Sequence, residues 1–106
     1  MFARMHTTQT TAEQHDAGLE HLRGEIGPWL RDSTGFRGVL RLTSPDRSKT
    51  IVITLWADEE SMRASAEAGR GLGALSAEAT GSRYLGLEDF EVTYADTDLR
   101  RDELPS

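Results

Sequence analysis

A small set of side chains in this sequence has the chemistry to act on a bound molecule. His6 can serve as a base because an unperturbed imidazole has a pKa of about 6.5, although a histidine in a strand is often structural or solvated. Arg37 and Arg41 fall on one face of a predicted strand and could bind an anionic group. Alternatively, they could be solvated or ion-paired arginines at the rim of the domain. Tyr84 and Tyr94 could contact a substrate. Together these residues allow proton transfer and the binding of an anion.

The spacing of other residues argues against several kinds of site. The sequence contains no cysteine, so it has no thiolate nucleophile, no disulfide and no cysteine-ligated metal. His15 and His21 are not three or four residues apart, the spacing that puts two ligands on one helix face, so we expect no metal site. Gly69, Gly71 and Gly73 follow a predicted helix and precede no Gly-Lys-Ser/Thr, so they do not form a phosphate-binding loop. A nucleophile elbow is also lacking.

The composition describes one small acidic domain. The 106 residues carry a net charge of −6 and a pI near 5.0, and most basic residues are scattered singly. Nucleic acid is therefore a disfavoured partner, because phosphate backbones attract clustered cations. No apolar stretch approaches the roughly 18 residues that span a bilayer, and the N-terminus does not resemble a signal peptide. We expect a cytoplasmic protein that does not bind membranes.

Hydrophobic periodicity predicts the elements of the first half of the chain. Residues 2–8 are extended in character, and residues 11–32 predict a helix. One face of that helix carries His15, Leu19, Leu22, Ile26, Trp29 and Leu30. Pro28 must kink or interrupt it, because proline lacks an N–H and crowds the carbonyl four residues back. Residues 36–43 predict a strand with one face formed by Phe36, Gly38, Leu40 and Leu42.

The second half continues the alternation of strands and helices. A turn at 44–48 leads to the strongest strand signal of the chain, at 50–56. Asp58 is a good N-cap for a helix predicted at 59–68. The remaining sequence predicts, in order, a short helix at 74–80, a strand through Phe90, Val92 and Tyr94, and a polar tail at 97–106.

The predicted order is β-α-β-β-α-β within a domain of residues 1–96. This order is typical of the ferredoxin-like α+β fold, a four-stranded antiparallel sheet with two helices on one face. In the strand at 50–56, Ile51, Ile53 and Leu55 point one way while Val52 and Trp56 point the other. Two helices can cover only one face of the sheet, so we expect a homodimer in which the other face is covered by a second copy.

The segment from Thr54 to Met62 resembles the antibiotic biosynthesis monooxygenase-like superfamily of dimeric α/β barrels. The likeness consists of a strand that ends in Trp56, an acidic helix cap at Asp58, and an apolar residue, Met62, in the first helical turn. Gly35-Phe36 and Phe90-Glu91-Val92 are similar to the strands that open and close the sheet in that family. The resemblance covers roughly residues 1–96 and implies a dimeric barrel.

Two enzymatic branches of that family are relevant. One comprises cofactor-independent monooxygenases that oxidise aromatic polyketide intermediates. The other degrades haem and needs an axial histidine on the second helix and an asparagine on the first strand. The histidines of this chain are His6, His15 and His21, there is no asparagine, and Met5 occupies the first-strand position. The haem branch is therefore disfavoured, and we expect no cofactor.

The family resemblance also implies where a substrate would bind. Its members hold their pocket between the sheet and its own helices. The residues placed there by the resemblance are Trp56, Phe36, Leu30, Met62 and Tyr84 as walls, with His6 or an arginine such as Arg37 as the polar contact. Trp56 could equally be an ordinary core anchor, because aromatic residues dominate protein cores.

Two functions remain open on the sequence. One is a cofactor-independent monooxygenase for a small aromatic, polyketide- or quinol-like metabolite. The other is a non-catalytic dimeric barrel that binds a small molecule or serves as an accessory subunit. RNA recognition modules share the same order of elements, but the first and third strands here offer only Phe2 and Trp56 for stacking, and the net charge is negative.

Overall fold

The computed structural model describes residues 1–65 and 81–99. Strands and helices alternate in the predicted order. The elements are β1 (Phe2–Gln9), α1 (Ala12–His21), a π-helical turn (Leu22–Ile26), α2 (Gly27–Asp32), β2 (Phe36–Thr43), β3 (Lys49–Trp56), α3 (Glu59–Ala64) and β4 (Arg83–Glu91). The first three strands and the start of both helical segments lie where the sequence predicts them.

The strands form one antiparallel sheet in the order β2-β3-β1-β4, which is the ferredoxin-like topology. The side chains of Phe2, Arg4 and His6 on β1 point toward the helices, because alternate residues of a strand face opposite sides of the sheet. Trp56 pairs with Phe2 and therefore lies on the same, helix-covered side. Met5 and Ile53 pair on the opposite side, which we call the open face.

The long N-terminal helix begins with a capping box and continues through Pro28. Thr11 and Gln14 bond each other's backbone N–H groups and so satisfy donors that the first helical turn leaves unpaired. The N–H of Gly27 donates to the carbonyl of Leu22, five residues back, and this π-helical turn sets Pro28 at the start of α2. Proline has no N–H to donate to a carbonyl of the preceding turn, and the hydrogen-bond pattern of the helix changes to the π type directly before it. The predicted interruption is thus a π turn that keeps the chain helical.

A bulge in β2 corrects one predicted strand face. Phe36 pairs with Trp56 but Gly38 pairs with Leu55, so Arg37 is an extra residue in the ladder. The extra residue turns Phe36 to the helix-covered side, whereas the alternation had placed it with Leu40. Arg41 pairs with Val52 on the helix-covered side, whereas Arg37 has no partner in the ladder, so the predicted shared face of Arg37 and Arg41 stays a prediction.

The last strand begins earlier than the sequence pattern indicated. It spans Arg83–Glu91, whereas Tyr94 lies beyond it and is 82% exposed. A register shift separates the pairs Thr7–Gly86 and Thr8–Tyr84, and Gly86 has a φ of 132°. This bulge hides the period-two pattern by which a strand is recognised.

Several further predictions concern the ends of the described ranges. The predicted helix at 59–68 is helical through Ala64, and its residues 66–68, like the short helix at 74–80, lie outside the described residues. Residues 92–99 form no regular element, and the rest of the predicted tail lies outside the described residues. Within the described ranges, no helix is both long and apolar enough to cross a membrane.

Candidate functional site

Four of the predicted pocket residues come together beneath the helices. Leu30, Trp56 and Met62 are buried, and Trp56 is only 1% exposed. The ring of Phe36 meets that of Trp56 edge-on, with centroids 5.8 Å apart and an angle of 73°. The indole Nε1 donates to Thr54 Oγ1 at 3.0 Å, which satisfies the one polar group of the tryptophan. These side chains pack on one another as a core, and their role as walls of a ligand cavity stays a prediction.

A second group of predicted residues, His6 and Tyr84, forms a polar pair on the same side of the sheet. His6 Nδ1 and the Tyr84 hydroxyl oxygen are 2.9 Å apart, and their ring centroids are 6.1 Å apart. The β4 bulge creates this contact, because it returns Tyr84 to the helix-covered side opposite Thr8. The two side chains therefore become neighbours although they lie near opposite ends of the sequence.

Electrostatics keep His6 in its neutral form near pH 7. Burial lowers the pKa of the His6 imidazole, and the positive charge of Arg4 lowers it further. The carboxylate of Asp89 acts in the opposite direction but more weakly. A neutral imidazole has one nitrogen with a free lone pair, which is the form in which histidine can accept a proton.

An ion pair that the sequence did not single out lies directly beside this pair. Arg4 is 4% exposed, and its guanidinium binds both carboxylate oxygens of Asp89, at 2.7 and 3.0 Å. Its Nη1 also donates to the backbone carbonyl of Met62 at 3.1 Å, so Arg4 links the sheet to α3. Arg4 alternates with Phe2 and His6 along β1, and a charged residue at an inward-facing position is the signal that could have identified it.

The structure separates the predicted site residues into distinct locations. Trp56 pairs with Phe2, whereas His6 lies four residues further along β1, a distance of about 13 Å. Arg37 is exposed at the β2 bulge. The pKa of Asp58 is lowered mainly by hydrogen bonds from Ser61, and the charge of Arg37 adds a smaller effect. The Trp56 cluster, the His6–Tyr84 pair and Arg37 are therefore not one compact constellation. Arg4 lies between the Trp56 cluster and the His6–Tyr84 pair.

An open depression on the described surface lies away from these predicted site residues. It has a volume of about 600 Å³ and is lined by Glu59, Glu60, Arg63 and Ala64, all on α3. Arg63 and Glu59 form an ion pair along the exposed side of that helix. The lining is charged and solvated, and it includes neither Trp56 nor His6.

The residues present do not fit haem in the manner of the haem-degrading branch. Residues 57–80, which follow β3 in the sequence, include no histidine that could bind the iron axially. The prediction that Met5 takes the first-strand pocket position is wrong, because Met5 lies on the open face while Arg4 and His6 face the helices. In residues 1–65 and 81–99, no group of three or more metal-ligating side chains is close enough to hold an ion.

Comparison with known proteins rests on structure. No protein-family model matches the chain, and no curated protein matches its sequence. A monooxygenase from ActVA-Orf6 of Streptomyces coelicolor, solved with nanaomycin D, is 22% identical and has a TM-score of 0.62, with 93% of this chain and 91% of that chain covered.

Two further solved structures represent both branches. SnoaB of Streptomyces nogalater, a cofactor-independent oxygenase, is 16% identical with a TM-score of 0.63, and 89% of this chain and 94% of that chain are covered. MhuD of Mycobacterium tuberculosis, a haem degrader with two haems bound, is 20% identical with a TM-score of 0.64. The match covers 92% of this chain and 100% of that chain.

At these identities the likeness establishes the fold and does not choose between the branches. In this chain the strand ending at Trp56, the capped α3 and the ferredoxin-like sheet are present as the sequence predicted. The suspected resemblance is therefore confirmed: this chain has the fold of the antibiotic biosynthesis monooxygenase-like proteins.

Proposed function

We propose that this chain is a cofactor-independent monooxygenase that acts on a small aromatic, polyketide- or quinol-like metabolite. The observation that carries the proposal is the His6–Tyr84 pair, a neutral base held by a phenol in the layer between sheet and helices. The similarity in fold to a cofactor-independent oxygenase, and to a monooxygenase that binds nanaomycin D, supports the class of reaction.

The reaction needs few protein groups. A phenol, enol or anthrone-type carbon acid gives its proton to the His6 imidazole, and the resulting anion passes one electron to dioxygen. The substrate radical and superoxide then combine to a peroxide anion, which takes the proton back from the His6 imidazolium, and loss of water from the hydroperoxide leaves a new carbonyl group. Dioxygen thus supplies one oxygen atom to the product and one to water, and the substrate supplies the electrons.

The residues around His6 suit the first of these steps. In the described part of the chain, Tyr84 is the hydrogen-bond partner of His6 Nδ1, and no partner lies at Nε2. Tyr84 fixes the orientation of the ring, so that Nε2 can face a substrate. Arg4 disfavours the imidazolium in the resting protein and so keeps the base ready to accept a proton.

The open face of the sheet supports the expected homodimer as part of this proposal. Leu42 is 49% exposed and Phe90 is 48% exposed on this face. The same face carries the half-buried side chains Met5, Leu40, Ile51, Ile53 and Leu55. An apolar patch of this extent is more than a monomer usually leaves in water, and a second copy packed sheet to sheet would cover it.

A second candidate function is supported by a different observation. Trp56 is almost completely buried against Leu30 and Met62. The residues that the family resemblance assigned to the pocket are therefore occupied with packing. This favours a non-catalytic dimeric barrel that binds a small molecule near His6 or serves as an accessory subunit.

Oxygen uptake distinguishes the two functions. The purified protein is mixed with a panel of anthrone- and quinol-type aromatics, and oxygen consumption is followed with an electrode while binding is measured by fluorescence. The monooxygenase predicts uptake above the spontaneous rate with at least one compound. Binding without any uptake would overturn it in favour of the second candidate.

A further inference from the structure

A cluster of cationic side chains lies where α1 meets the turn between β2 and β3. His15 Nδ1 is 3.4 Å from a guanidinium nitrogen of Arg41, and His15 Nε2 is 3.0 Å from one of Arg47. A second nitrogen of Arg41 donates to the backbone carbonyl of His15 at 3.2 Å. We call His15, Arg41 and Arg47 the arginine cluster.

The imidazole cannot satisfy both arginines. Guanidinium groups only donate hydrogen bonds, and a neutral imidazole has a single accepting nitrogen. One of the two arginine nitrogens therefore faces either an N–H group or no acceptor on the ring. A protonated imidazole would offer no acceptor at all. The arrangement leaves donor capacity that an added acceptor would fill.

Among the described residues, no carboxylate forms an ion pair with the two arginines. Neither Arg41 nor Arg47 forms an ion pair within 4.0 Å in residues 1–65 and 81–99. Asp46 precedes Arg47, but its Oδ1 accepts from Ser44 Oγ at 2.8 Å and from the backbone N–H and hydroxyl of Ser48 at 3.0 and 2.7 Å. These bonds lower the pKa of Asp46 to about 2 and tie its carboxylate to its own turn.

Other charges near the arginine cluster are mixed in sign. Asp16 acts on both His15 and Arg41 through its charge, yet it forms no ion pair with Arg41 within 4.0 Å. Burial lowers the pKa of the Arg41 guanidinium, and the positive charges of Arg47 and Arg23 lower it further. Cations therefore crowd together here although the whole chain carries a net charge of −6.

A buried hydroxyl next to the cluster also lacks a partner. Thr50 is 4% exposed, and its Oγ1 makes no hydrogen bond in the described structure. Arg41 pairs with Val52 and Thr43 with Thr50, so Thr50 is a diagonal neighbour of Arg41 on the helix-covered side. Diagonal neighbours in a sheet are about 7–8 Å apart, which is within reach of a long side chain or of a group bound to it.

The turn holds Arg47 in a conformation that favours glycine. Arg47 has a φ of 64°, which is uncommon for residues with a side chain. Thr10 Oγ1 donates to the Arg47 carbonyl at 2.9 Å, and the Thr10 N–H donates to the Ser48 carbonyl at 2.8 Å. The turn is thus fastened to the start of the helix, and the Arg47 side chain reaches His15 at the expense of local strain.

We infer that the arginine cluster is a binding site for a small oxyanion, a phosphate or carboxylate group carried by a metabolite. The forked guanidinium groups of Arg41 and Arg47 match the oxygens of such an anion, and His15 adds a third donor. Arg41 and His6 flank Val52 on neighbouring strands, so this site is about 10 Å from the His6–Tyr84 pair and distinct from it.

Titration with simple anions tests the site without any substrate. The protein is titrated with inorganic phosphate and, separately, with succinate, at constant ionic strength in sodium chloride, by calorimetry and by the NMR signals of the His15 ring. Either anion should bind with a saturable shift of His15, and the tighter of the two identifies the group recognised. Absence of saturable binding for both would overturn the inference.

Arg47→Gly is the informative variant. Glycine accepts the positive φ, so the fold should be kept or slightly stabilised, while anion affinity should fall roughly tenfold or more because one charged donor is lost. Arg31→Gln removes one charge from an exposed position on α2 and should bind the anion as the parent does. His15→Gln provides a second variant. Equal affinity of Arg47→Gly and the parent would show that the cluster is not the site.

Discussion

The Nδ1 atom of His6 lies 2.9 Å from the hydroxyl oxygen of Tyr84, across 78 positions of the sequence. The contact joins β1 to β4 at the point where the β4 bulge changes the register. Arg4 and Asp89 form a second link between the same two strands. A neutral imidazole, a phenol and a bidentate ion pair thus meet on the helix-covered side of the sheet, and the proposed chemistry depends on this group.

Replacement of His6 tests its role as the base. We expect His6→Gln to lower catalysed oxygen uptake by about 100- to 10,000-fold, because general base catalysis contributes that much in other enzymes. Tyr84→Phe should lower it by less, about tenfold, because the base remains and only its orienting hydrogen bond is lost. His21→Gln, a histidine on α1 paired with Glu25, is the matched control and should leave uptake unchanged. Parent-like uptake by His6→Gln would remove His6 from the mechanism.

The lowered pKa of His6 predicts how stability depends on pH. In the unfolded chain the His6 imidazole has its ordinary pKa of 6.5, whereas in the folded protein its pKa is lower, mainly because the ring is buried. The unfolded state therefore binds more protons between the lowered pKa and 6.5, and the free energy of unfolding decreases as pH falls through that window.

Urea unfolding of the parent and of His6→Gln, measured at intervals between about pH 5 and pH 7.5, checks this dependence. The parent should lose more stability than the variant as pH falls. The difference between the two curves isolates His6, because His15 also has a lowered pKa and is present in both proteins. Parallel curves would contradict a neutral, buried His6.

Truncation of Trp56 distinguishes a core anchor from a pocket wall. We expect Trp56→Ala to reduce the free energy of unfolding by about 3–5 kcal/mol, because it leaves a cavity beside Leu30 and Met62. Trp29→Ala is the control, since Trp29 is only half-buried against the same cluster and should cost less. Urea unfolding measures both. A small and equal loss in the two variants would indicate that Trp56 borders open space.

A charge on the open face should separate the subunits. The parent is expected to elute with a mass near twice 11.7 kDa in size-exclusion chromatography with light scattering. Leu42→Glu places a carboxylate on the open face, within the proposed interface, and should give a monomer. Arg31→Glu, on the helical side of the domain, should stay dimeric. A monomeric parent would overturn the proposed dimer.

The sequence by itself determined the order of elements and the regions that must be buried. The stretch at 50–56 gave the strongest strand signal of the chain, and β3 spans Lys49–Trp56. Asp58 was predicted to cap a helix, and its side chain accepts from the backbone N–H of Ser61. These features depend on the polarity pattern and backbone preferences of residues that are close together in the sequence, so they can be recognised from the sequence itself.

Only the tertiary structure decided which side chains meet. Bulges at Arg37 and between Tyr84 and Gly86 each insert one residue into a ladder, and one inserted residue moves a side chain to the other face of the sheet. Period-two reasoning therefore misplaced Phe36 and could not bring Tyr84 to His6. The pairing of Arg4 with Asp89 follows from β1 and β4 lying side by side, which is a property of the whole sheet and of no single segment.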